Sequence, residues 1–172
     1  MVYAITNTKE TLVEAFKQIP NSYAIDILVG YCYFSGLRSI LEDEELYRHF
    51  LSAPLLLLIG LEVDARFYRE YSQYNNISEI NDREYRNKIQ EQLIQFCNNE
   101  HYRDKELLRL FFQKLNDGTL EIRKTRSPAH AKLYIFQTQE DTTKFQPGIV
   151  ITGSSNLTQS GLSGQIEYNV VL

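Results

Sequence analysis

His130 and Lys132 stand two residues apart in Pro128-Ala129-His130-Ala131-Lys132-Leu133. The apolar residues around them alternate, so an extended chain would send both side chains off one face. An imidazole there can attack phosphorus or pass a proton near neutral pH, and a neighbouring ammonium can hold the non-bridging oxygens of a phosphodiester. Alone, the pair is weak, because a His near a Lys arises by chance on many surfaces. A second element, Gly153-Ser154-Ser155-Asn156-Leu157-Thr158, follows the apolar strand Gly148 to Thr152 directly. Small residues at a strand end bring backbone N–H groups, the Ser154 and Ser155 hydroxyls and the Asn156 amide close to an anion. The bland alternative is a polar turn that caps a helix. The third element is Glu167, set among apolar strand residues in Ile166-Glu167-Tyr168-Asn169-Val170. Its carboxylate is placed to accept the other ring N–H of His130 and fix the tautomer, unless it is an ordinary solvated strand Glu.

The formal net charge of −4 excludes a protein that coats nucleic acid by bulk charge, since phosphate contacts come from clustered Lys and Arg. One such cluster exists. Between Glu121 and Lys132 lie Arg123, Lys124, Arg126 and Lys132 against a single acid, either a substrate contact or a charged, protected strand edge.

In order and position, His130-Ala131-Lys132, Gly153-Ser154-Ser155-Asn156 and Glu167 together resemble the signature of the phospholipase D superfamily. The Glu-Tyr-Asn-Val-Val-Leu ending is similar to the Glu-bearing strand of its small bacterial endonucleases. Tyr31-Cys32-Tyr33-Phe34-Ser35-Gly36-Leu37 resembles the first-strand end of related domains attached to helicases and restriction enzymes. The sequence departs from the pattern once: Gln137 stands where the family carries Asp, five residues after the Lys.

The resemblance implies a metal-independent phosphodiesterase with no cofactor. His130 would form a phosphohistidine, a second His would protonate the leaving oxygen, and Lys132, Ser154 and Asn156 would hold the phosphate. Of the three histidines, His49 and His101 lack a Lys two residues on, so one motif per chain implies a homodimer that brings two copies of His130 together. DNA is the expected substrate, with Arg123, Lys124 and Arg126 as contacts; no basic amphipathic helix favours a lipid. Two other readings stay open: a non-catalytic DNA-binding module of a helicase or restriction system, fused or associated, and a phospholipid hydrolase.

To position these residues the chain must supply strands whose ends converge. With 172 residues, 43% hydrophobic and 12% aromatic, it is long enough for one compact domain, residues 1–172, and whether it is a piece of a longer protein is open. Thr8 is expected to cap a helix bearing Leu12, Val13, Phe16 and Ile19, ended by Pro20. Tyr23 to Phe34 reads as a buried strand, Gly36 to about Phe50 as a helix, and Leu55 to Val63 as a strand covered on both faces. Helices are expected over Asp82 to Cys97, through Tyr85, Ile89, Leu93 and Phe96, and over Asp104 to Leu115. The last third then turns to extended periodicity: Leu120, Ile122; Ala131, Leu133, Ile135; Ile149 to Ile151; Tyr168, Val170, Leu172. Thr138 to Pro147 reads as a loop and Gln159 to Gln165 as a connection. The fold class is therefore α/β, a mixed central β-sheet flanked by helices, phospholipase D-like. The longest apolar run, Pro54 to Leu61, is far below the roughly 18 to 20 residues of a membrane span, and a cytoplasmic protein with no membrane partner is expected. Cys32 and Cys97 lack metal-ligand spacing and read as buried thiols.

Overall fold

The computed structural model describes residues 2–19, 22–62, 109, 113–138 and 148–172. The expected helix over residues 82–97, with Cys97, lies outside them, as do His101 and most of 138–147; of the expected helix 104–115, residues 109 and 113–115 are helical.

Among the described residues seven strands form one mixed sheet in the order β1-β7-β6-β5-β2-β3-β4. In chain order these are β1 (Tyr3–Ile5), β2 (Ser22–Tyr31), β3 (Leu55–Glu62), β4 (Leu120–Lys124), β5 (Leu133–Thr138), β6 (Gly148–Gly153) and β7 (Asn169–Val171). The aliphatic runs β2 and β3 pair in parallel at the centre and β4 continues in parallel, while β5, β6, β7 and β1 are antiparallel to their neighbours. The α/β expectation of a mixed sheet flanked by helices is met.

Three helices stand between β1 and β3. In α1 (Leu12–Lys17) the cap is Thr11 rather than Thr8: its hydroxyl accepts the Glu14 N–H at 3.2 Å, and Glu14 Oε2 accepts the Thr11 N–H at 2.7 Å. The shift has a local cause, since the Asn7 side chain accepts the Leu12 N–H at 3.0 Å and turns the chain there at φ 55°. The expected helix from Gly36 to Phe50 is two, α2 (Phe34–Leu41) and α3 (Glu44–Ser52). Asp43 divides them by taking the N–H groups of Glu45 and Leu46, each at 3.2 Å, and so starts a new helix.

The core lies between these helices and one sheet face. Phe16 puts its ring 5.3 Å from both Tyr134 and Phe136, and Phe50 meets Phe136 edge-on. Ile25, Ile27, Val29, Leu57, Ile59, Ile122, Ile151 and Val171 complete that face. The extended periodicity of the last third is met, with its phase corrected on two strands. On β5 the fully buried side chains are Tyr134 and Phe136, while Leu133 and Ile135 are half-buried on the opposite face. On β7 the inward residues are Asn169 and Val171, and Tyr168, Val170 and Leu172 are exposed. Cys32 is a buried free thiol whose pKa burial pushes up to about 12. No helix among the described residues is long and apolar enough to cross a membrane.

Candidate active site

The strand directions bring the ends of β2, β3, β4 and β6 and the starts of β5 and β7 to one end of the sheet. His130 and Lys132 arrive there on the connection from β4. They precede β5, which begins at Leu133, so they are not on the strand where the alternating pattern put them. Their pairing survives because Lys132 is held in place: its carbonyl accepts the Thr152 hydroxyl at 3.0 Å and the Gly153 N–H at 3.4 Å. The connection is pinned upstream to β3, where the Thr125 N–H reaches the Ile59 carbonyl and the Ala129 N–H the Gly60 carbonyl, each at 3.0 Å. Gly60 is required for that approach, since a Cβ there would fall 1.9 Å from the Ala129 carbonyl oxygen.

Lys132 is 4% exposed and His130 is exposed. The Lys132 ammonium lies 2.8 Å from His130 Nε2 and donates to the His130 carbonyl at 2.7 Å. An ammonium has no lone pair, so it donates to Nε2, which makes the ring neutral with its proton on Nδ1. Nδ1 has no partner among the described residues. Burial lowers the Lys132 pKa, and the nearby Glu167 carboxylate opposes that by favouring the charged form.

The Gly153 to Thr158 turn follows β6. The Ser154 N–H donates to the Tyr168 carbonyl at 3.0 Å, and its hydroxyl accepts the Tyr168 N–H at 3.0 Å while donating to Glu167. Glu167 thus bonds to Ser154 rather than to His130, which corrects the expected carboxylate–imidazole pair. Ser155 is fully buried: its hydroxyl accepts from Asn169 Nδ2 at 2.8 Å, and its carbonyl accepts the Tyr134 hydroxyl at 2.9 Å. It therefore holds the turn to β7 and β5 and is out of reach of a substrate. Asn169, inward on β7, is the residue the sequence reading missed; its place two residues after Glu167 in an otherwise apolar strand was the available signal.

Asn156 is half-buried, and its Oδ1 accepts the Tyr31 N–H at 3.0 Å. The amide NH2 is left without a partner among the described residues. Leu157 bridges to Cys32 in parallel, so the turn extends β2. Gly36 permits that contact, since a Cβ there would lie 2.4 Å from the Leu157 carbonyl. The Tyr31 ring then meets the His130 ring edge-on at 6.2 Å. Tyr31 is what joins the His130 side of the site to the Asn156 side.

The basic segment divides. Arg123 on the edge strand β4 pairs with Glu121 at 2.7 Å, Lys124 is half-buried, and Arg126 is exposed with no ion pair among the described residues. β4 stands three strands from β5, about 14 Å at the usual spacing. Gln137 lies on the face away from the helices, at the far part of β5, and its Nε2 donates to Asp26 Oδ2 at 2.6 Å. The departure from the family pattern therefore falls outside the cluster around His130.

No protein-family model and no curated protein sequence matches the chain. Among solved structures it is similar to a phospholipase D family member, Nuc from Salmonella typhimurium, at 12% identity, over 99% of this chain and 81% of that chain, with a TM-score of 0.43. The chemistry of the site rests on the residues themselves.

Proposed function

We propose that the chain is a metal-independent phosphodiesterase of phospholipase D type, acting on DNA through His130 at a homodimer interface. The observation that carries this reading is the Lys132 ammonium, almost wholly buried and 2.8 Å from His130 Nε2. A cation held there presents a positive charge where a phosphate must approach. The Asn156 NH2, without a partner among the described residues, and the exposed Arg126 support the same reading.

In the proposed reaction His130 Nε2 forms a bond to phosphorus as the bond to the leaving oxygen breaks, and His130 of the second copy gives that oxygen a proton. Water then attacks the phosphohistidine, its proton passing to the same second imidazole, and His130 is restored. One copy of His130 thus serves as nucleophile and the other as acid and then base. Hydrolysis of plasmid DNA or bis-p-nitrophenyl phosphate in EDTA, lost in His130→Ala, is the expected result. Activity abolished by the chelator, or an active monomer, contradicts it.

One observation favours a second reading, a DNA-binding module without turnover: Glu167 is engaged by Ser154, and among the described residues no carboxylate bonds to His130 to orient it. Salt-sensitive DNA binding with no hydrolysis would select the module.

A further inference from the structure

The inward row of β2 runs Ile25, Ile27, Val29, and the next buried side chain is Cys32, three residues on rather than two. The pairing of β2 with β3 shifts register in the same place, between Val29 and Tyr31. Two residues beyond Val29, Tyr31 stands at the end of that row, half-buried where the core stops and beside His130, while the extra residue of the register shift falls on β3, between Ile59 and Glu62. Tyr31 is half-buried, its N–H and carbonyl are both fixed to Asn156 and Leu157 at 3.0 and 3.2 Å, and its hydroxyl has no partner among the described residues. Its ring lies 6.3 Å from that of Tyr33 and 6.2 Å from that of His130. The result is a rigidly mounted aromatic wall beside the imidazole.

We propose that Tyr31 is the specificity-determining residue of this site, the ring against which the nucleoside next to the scissile phosphate stacks. This rests on the phosphodiesterase reading above and adds the class of ester preferred: a phosphodiester of a nucleoside rather than of a simple alcohol. Every base offers a π-face, so the wall is tolerant of sequence.

The test compares thymidine p-nitrophenyl phosphate with methyl p-nitrophenyl phosphate, which share a leaving group and differ in the nucleoside. In Tyr31→Leu the ratio of kcat/KM for the two esters is expected to fall about tenfold toward the methyl ester, and in Tyr31→Phe to stay within about twofold. If both esters lose activity together in Tyr31→Leu, the ring only supports the strand end and the proposal is overturned. If the unaltered protein cleaves neither ester, the phosphodiesterase reading fails, and stacking is read instead from binding of single-stranded oligothymidylate and an abasic strand of equal length. Weakening of the oligothymidylate alone by Tyr31→Leu then supports the wall, and equal weakening of both removes it.

Discussion

The two sides of the site are built differently. On the serine side nearly every polar group already has a partner: Ser154 and Ser155 are engaged by Glu167, Tyr168, Asn169 and Tyr134. On the histidine side His130 is exposed, and among the described residues its one side-chain hydrogen bond is to Lys132. A turn whose hydrogen bonds are satisfied internally gives rigidity but offers few donors to a substrate, whereas an exposed imidazole held by a buried cation can exchange that cation for a phosphate. Under the proposed function the serine side fixes position, and the histidine side, with the Asn156 amide, would carry the chemistry. Substitutions that separate activity from stability can break this division.

The largest expected separation is at His130. His130→Ala should reduce hydrolysis of bis-p-nitrophenyl phosphate by at least about 10³-fold, while the melting temperature changes little because the ring is exposed. Gly60→Ala acts through the mount. The Cβ would meet the Ala129 carbonyl and displace the segment leading to His130, so a drop of about 10²-fold in kcat/KM is expected, with a loss of about 1–3 kcal/mol of stability in urea unfolding. Asn156→Ala should lower both quantities, activity by about 10²-fold through the lost donor and stability by about 1–3 kcal/mol through the unpaired Tyr31 N–H. Ser155→Ala should do the reverse of His130→Ala, costing about 1–3 kcal/mol as Asn169 loses its acceptor, with kcat/KM nearly retained. Equal losses of activity in Ser155→Ala and His130→Ala would end the division.

The smallest effect lies outside the site. Buried His49 accepts the Ser22 N–H on Nε2 at 3.1 Å, and burial lowers its pKa. With the folded pKa below the unfolded one near 6.5, its stabilisation is present above about pH 6.5 and is lost as the pH falls through the folded value. Melting temperatures recorded downward from neutral pH should therefore decline less steeply in His49→Gln.

Much of this was legible in the sequence, for reasons that also explain the errors. β2, β3 and the strand-rich last third announce themselves through β-branched and aliphatic runs. Phase does not: β5 is apolar on both faces, so Leu133 and Ile135 look as inward as Tyr134 and Phe136. On β7 the polar Asn169 is drawn inside because the buried Ser155 supplies its partner, which no local pattern reveals. His130, Lys132 and Asn156 could be selected by type and spacing, but their relation depends on Tyr31, which lies 99 residues before His130. The engagement of Glu167 by Ser154 is likewise a tertiary fact.

Under the proposed function His130 Nε2 is the nucleophile that attacks phosphorus. Rapid mixing with bis-p-nitrophenyl phosphate in EDTA, quenched in alkali and followed by peptide mass spectrometry, tests it most directly. A p-nitrophenyl phosphate adduct on the peptide bearing His130, absent from His130→Gln, is the predicted result. An adduct on another residue, or undiminished turnover by His130→Gln, would contradict it.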